Sequence, residues 1–182
     1  MGLADRLFGR KKKAEDEPDP LADLVLEKLK VGYMVDYDLR TWQVTGYSRY
    51  RFAGREDCEE WELTAGREQR YLELAEGAWS LSASIAIGDI GGDVRQHILA
   101  HDDPPERIVF QGAVYRLDAS YAGHLLADGD GAGRQVIRWE FVDEDETRFV
   151  GIEQWSETEF TASAGSVVED YQFTHILPGS PA

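Results

Sequence analysis

The chain has 182 residues, 42% of them hydrophobic, and one cysteine, Cys58; that length can bury a core without cross-links, and a lone thiol excludes an intrachain disulfide framework. Its formal net charge of −16 repels a phosphate backbone, which excludes nucleic acid as the expected partner. No run approaches the ~20 apolar residues that span a bilayer, and the N-terminus lacks the apolar stretch of a secretory signal, so we expect a cytoplasmic protein, with peripheral contact to the inner membrane as its one route to lipid.

Residues 1–13 differ from the rest, with Arg6, Arg10, Lys11, Lys12 and Lys13 set against Asp5 alone. A helix over residues 2–10 gathers Leu3, Leu7 and Phe8 on one side. A short basic amphipathic helix of this kind suits an anionic membrane surface or a protein partner. The plain alternative is a basic tail, free or docked on the acidic body. Arg6 occupies the place where a myristoylation signal needs Ser or Thr. The acidic, proline-containing AEDEPDP then reads as a linker closing a first segment at residue 19. A second helix is expected from Pro20, with Asp19 as N-cap, an apolar stripe of Leu21, Leu24, Val25 and Leu29, and Gly32 as terminator.

From there the period becomes alternating. Trp42, Val44 and Gly46 alternate with Gln43 and Thr45, and Trp61 and Leu63 with Glu60 and Glu62. Residues 71–74 and 79–85 continue the pattern. These are strands with one buried face and one wet face. DVRQHILA interrupts them as a helix, with Asp93 and Gln96 spaced as a capping box, and Pro104 and Pro105 end it. Further strands follow at 108–110, 115–121, 137–141 and 148–155, with a last extended stretch over 171–176.

The halves echo each other. WELTAGREQRYLELAEGAWS begins at Trp61 and WEFVDEDETRFVGIEQWS at Trp139. Trp61 and Trp139 are 78 apart, Trp79 and Trp155 are 76 apart, and Trp42 and Tyr115 are 73 apart. The expected fold is mainly β: two similar antiparallel meander units, barrel- or sandwich-like, from an internal duplication, with short helices at the N-terminus and midpoint. The first unit runs over 20–103, with its leading and mid-chain helices, and the second over 104–182, both in one compact domain. Trp42, Trp61, Trp79, Tyr115, Trp139 and Trp155 are expected to be hidden between the units as core anchors, or to line a ligand cleft there.

Three segments resemble a bacterial family: VGYMVDYDLRTWQVTG from Val31, PPERIVFQGAVYRLDASYAGHL from Pro104 and RWEFVDEDETRFVGIEQWS from Arg138. The family is domain of unknown function 4178, and the resemblance covers about residues 31–176. It supplies no catalytic residues. It implies kinship with accessory proteins found in membrane-stress gene neighbourhoods, near phage-shock-type membrane-remodelling coat proteins and small integral membrane proteins.

His97 and His101 stand four apart on the expected helix, near Asp102 and Asp103, with His124 and His175 elsewhere. No Glu follows His97, so the metalloprotease pattern is absent. We expect neither metal nor cofactor. ADGDGAG lacks the later ligands of a calcium loop and reads as a hairpin turn, and residues 143–146 read as a charged hairpin tip. Cys58 sits among Asp57, Glu59 and Glu60, whose charge disfavours a thiolate. No nucleophile elbow, phosphate loop or dinucleotide fingerprint occurs. The function expected is therefore non-enzymatic: a binding or adaptor protein with a protein partner, touching membrane or partner through its N-terminal helix. The alternative is a small-ligand binder with an aromatic cleft between the units.

Overall fold

The computed structural model describes residues 24–179. The N-terminal site residues Leu3, Arg6, Leu7, Phe8, Arg10, Lys11, Lys12 and Lys13 lie outside them, as does the start of the helix expected at Pro20. The described part of that helix is one 3-10 turn, Leu26–Lys28, entered from an extended Val25. Strands β1 (Met34–Tyr37), β2 (Arg40–Phe52), β3 (Cys58–Ala65), β4 (Glu68–Ala75) and β5 (Ala78–Ile85) follow. Helix α1 (Val94–His101) then leads to β6 (Arg107–Phe110), β7 (Ala113–Ala127), β8 (Arg134–Val142), β9 (Arg148–Gln154), β10 (Phe160–Val168) and β11 (Thr174–Leu177). Asp93 does sit at the N-cap of α1. The capping box does not form, because Asp93 is left-handed (φ 47°) and its side chain makes no cap hydrogen bond.

All strand pairs are antiparallel, and the protein is mainly β. The order β2-β3-β4-β5-β10-β9-β8-β7 closes through the β2–β7 pair into an eight-stranded barrel. Long strands make the closure possible. The first part of β2 carries β1, and its last part, from Ser48, pairs with β7. In the same way β7 starts on β6 and ends on β2. Each of the two strands changes register once, at Val44/Gly46 in β2 and at Leu117/Ala119 in β7. Such irregularities bend a strand and let it serve two partners.

The two larger apolar cores lie outside the barrel wall. Strand alternation sends Trp61, Leu63, Leu72, Trp79 and Leu81 outward, where Leu26, Leu29, Val35 and Phe173 cover them. Across the barrel, Trp139, Phe141, Val150 and Ile152 also point outward, under Ile90, Val94, Ile98, Ile108 and Tyr115. The first cluster is thus covered by the Leu26–Lys28 turn, β1 and Phe173 from near the C-terminus, and the second by α1, β6 and the start of β7. At about 25 cal/mol per Å2 of apolar area, this burial is the main driving force for the fold. Trp61 Nε1 donates to the Leu29 carbonyl at 3.0 Å. Trp139 Nε1 donates to Asp103 Oδ1 at 3.3 Å.

Several expectations are corrected here. Four of the five indoles are not hidden between the halves but in two separate outer clusters, Trp42, Trp61 and Trp79 in one and Trp139 in the other. Helix α1, read from the sequence as the end of the first unit, packs with the second half. Trp79 lies in β5 whereas Trp155 follows β9, so the two are not equivalent. Nor do Arg70-Tyr71 in β4 and Arg148-Phe149 in β9 correspond: Tyr71 pairs with Glu62, next to Trp61, whereas Phe149 pairs with Val142, three residues beyond Trp139. Asp143 is not an exposed hairpin tip. It is buried and accepts hydrogen bonds from the Thr147 and Arg148 amides, at 3.0 Å each, and from Arg148 Nε at 2.8 Å.

Candidate functional site: the polar lumen of the barrel

The outward tryptophans leave polar side chains pointing inward. Glu60 and Glu62 flank Trp61, and Arg138 and Glu140 flank Trp139. These join Glu73, Glu153, Ser48, Ser80, Ser82, Ser84 and Ser163 around a cavity of about 310 Å3 that all eight barrel strands line. The volume lies at the small end of ligand pockets. Tyr50, Phe52, Cys58 and Val136 pack as a third apolar cluster inside the wall.

Arg138 organises the lumen. It is a cross-strand partner of Glu153, and its Nη2 lies 2.9 Å from Glu153 Oε1. Its Nη1 reaches across to the opposite wall, 2.6 Å from Glu73 Oε2. Glu140 is more distant at 3.7 Å. The guanidinium also stacks over the Tyr50 ring, 4.0 Å from its centroid. A buried charge is tolerated only when paired in this way. Burial alone would lower the Arg138 pKa, but Glu73, Tyr50 and Glu153 hold it well above its ordinary value. The strut therefore stays charged.

Glu60 has no such relief. It faces Glu73 directly in the β3–β4 register, and like charges so placed repel. Burial pushes its carboxyl up to about 8, against a pull from Arg138 and with a further push from Glu73, Glu153 and Glu62. Near neutral pH it carries a proton. Burial raises Glu140 as well, again against the pull of Arg138. Burial also pushes the Cys58 thiol up to about 11, so it is not a thiolate nucleophile.

Of the six aromatic positions singled out from the sequence, the structure buries Trp42, Trp61, Trp79, Tyr115 and Trp139 in the outer clusters. Trp155 alone lines the lumen. It is half-buried, and its Nε1 donates to Thr161 Oγ1 at 2.8 Å. His97 and His101 lie side by side on α1, with ring centroids 4.5 Å apart and the rings tilted by 47°. Among the described residues they join no group of three or more potential metal ligands. His124 is in β7, and His175 is in β11, 3.2 Å from Asp36. ADGDGAG forms the β7–β8 hairpin loop.

Sequence reasoning missed Glu73, Arg138, Glu140 and Glu153, because the polar members of each alternation were assigned to solvent. One signal was available. Glu60 and Arg138 share the 78-residue offset of Trp61 and Trp139, which places a carboxylate and a guanidinium at matching inward positions.

Residues 30–170 match a family described as domain of unknown function DUF4178. An uncharacterized protein of Aquifex aeolicus (strain VF5) is 29% identical over 181 residues, covering 98% of this chain and 99% of that protein. No solved structure matches. The barrel with its charged lumen is thus the architecture of a DUF4178 protein, and this chain belongs to that family.

Proposed function

We propose that the protein is a non-enzymatic binding module whose barrel lumen takes up a small polar ligand. The supporting observation is the cavity of about 310 Å3, into which seven of the eight barrel strands send polar side chains while β7 contributes Leu125. A barrel built for stability alone fills its interior with apolar side chains, and replacing buried ion pairs by apolar groups is often neutral or stabilising. A charged, roomy interior suits a molecule that enters it. This moves the ligand site from an aromatic cleft between the units to a lumen to which both contribute. Thermal-shift screening of small polar molecules on the full chain tests the reading. Hits should vanish in Ser82→Phe, whose ring occupies the lumen; hits retained in a folded Ser82→Phe would count against it.

We further propose that the protein works in the cytoplasm beside the envelope, as an accessory of a membrane-stress system. In this reading Leu3, Leu7, Phe8 and the neighbouring cations meet membrane or partner, and the acidic body meets a protein. The asymmetry of charge supports it, with five cations in the first 13 residues of a chain of net charge −16. Liposome co-sedimentation of the full chain against a form lacking residues 1–13 is the test, and equal pelleting of both would oppose it. An origin by duplication is supported by the shared strand order of the halves and by register shifts 73 residues apart in β2 and β7.

A further inference from the structure

Resting on the lumen reading, we infer that the ligand is a small organic cation carrying a primary amine, seated on the Glu60 carboxylate. Charge excludes the other classes first. Five carboxyl groups, Glu60, Glu62, Glu73, Glu140 and Glu153, line the cavity against one guanidinium, Arg138. An anion entering this space meets carboxyl groups from β3 and β4 on one side and from β8 and β9 on the other, and a neutral polyol leaves the excess uncompensated.

The position within the lumen follows from which carboxylates are engaged. Arg138 is spent on Glu73 and Glu153, and Glu62 accepts a hydrogen bond from Thr45 Oγ1 at 2.7 Å. Glu60 is enclosed by the barrel and faces the cavity, yet it makes no hydrogen bond or ion pair among the described residues. The carboxylate is half-buried and open to the lumen; leaving it unpaired there is costly, and an incoming ammonium supplies the partner. Ser48 is the cross-strand neighbour of Glu60, and Ser80 that of Glu73. Both hydroxyls therefore belong to the same ring of inward positions, and they accept the remaining ammonium protons. Tyr71 and Phe149 line the cavity as well, offering aromatic surface to an alkyl stem or a second cationic head. The described acidic side chains do not converge as three or more on one point, which favours a cation satisfied by separate hydrogen bonds over a bare divalent ion. At about 30 Å3 per water the cavity holds about ten waters, or an organic molecule of similarly few heavy atoms.

Calorimetric titration of the full chain at pH 8.5 in 0.15 M NaCl, where surface attraction is screened, decides the matter. The probes are butylamine, 1,4-diaminobutane, 1,4-butanediol and succinate. One-to-one binding of an amine is expected, weakened at least tenfold in Glu60→Gln and unchanged in Glu27→Gln on the exposed surface, with no binding of diol or diacid. Equal amine affinity in wild type and a folded Glu60→Gln would overturn the inference. So would binding of the diol in preference to the amines, although the lumen reading would then survive. If no probe binds, the inference falls, and a blank thermal-shift screen besides would remove the lumen reading with it.

Discussion

Replacing Glu60 by glutamine deletes an ionisable group while keeping its shape, and the structure sets the size of the effect. The Glu60 carboxyl titrates near 8 in the folded protein against an ordinary 4.5. A raised carboxyl pKa means that the folded state holds its proton while the unfolded chain releases it. Stability is therefore lost as pH rises from 4.5 to 8, and the full penalty applies above that window. At 1.36 kcal/mol per unit, the penalty is about 3 kcal/mol at pH 7 and about 5 kcal/mol above pH 8. Tyr50 from β2, Glu62 from β3, Glu73 from β4, Arg138 from β8 and Glu153 from β9 set the field that Glu60 feels. Glu60→Gln should match wild type near pH 4 and exceed it by about 3 kcal/mol at pH 7. For a chain of this size that corresponds to a rise of about 6–12 °C in melting temperature. Denaturant titration of both proteins at pH 4, 5.5, 7 and 8.5 gives the four differences. A gap that does not change with pH, or a glutamine variant less stable at pH 7, would refute the assignment of a buried, protonated Glu60.

Other expectations follow from the same geometry. Arg138→Met leaves Glu73 and Glu153 unpaired in the lumen and should cost about 3–5 kcal/mol by urea titration. Gly123→Ala and Gly165→Ala should each destabilise by about 1–3 kcal/mol: a Cβ at Gly123 would stand 2.1 Å from the Arg51 carbonyl oxygen, and one at Gly165 would stand 2.3 Å from that of Leu81. Those glycines lie on the β2–β7 and β5–β10 seams, so both variants should loosen amide-exchange protection across the joins between the halves. Trp61→Phe keeps an aromatic ring in the outer core but removes the indole bond to Leu29. It should cost about 1 kcal/mol, read as a lower denaturation midpoint.

Most strands were legible because large outward residues alternate with polar ones, as in Trp61 and Leu63 between Glu60, Glu62 and Thr64. The exception was β10. Its outward residues are Ala162, Ala164, Ser166 and Val168, and its inward ones Thr161, Ser163, Gly165 and Val167, so its alternation has little hydrophobic contrast. The smallness has a cause at the seam, where Gly165 crosses the Leu81 carbonyl and no side chain fits. Strand β1 escaped notice because four residues are too few to set a period. The lumen was harder to foresee. A polar face that looks outward and one that looks into a closed barrel have the same pattern, and only the β2–β7 and β5–β10 pairings decide between them. Those pairings join residues 71 or more apart in the chain, such as Ser48 with Ala127 and Trp79 with Val168. Arg138 could therefore not be matched with Glu73 from local spacing.

Because most of the apolar cohesion resides on the convex side of the wall, the concave side beyond Arg138 and the Tyr50–Phe52 cluster is largely released from it. In most small barrels a substitution in the interior strikes the hydrophobic core, so adaptation to a new guest competes with folding. Here the tryptophans and their helical covers hold each half together from without. The inward positions can be rewritten, carboxylate to amide or serine to alanine, with little disturbance to that outer layer. Such a scaffold lends itself to divergence: relatives that keep the exterior residues are free to enclose different molecules.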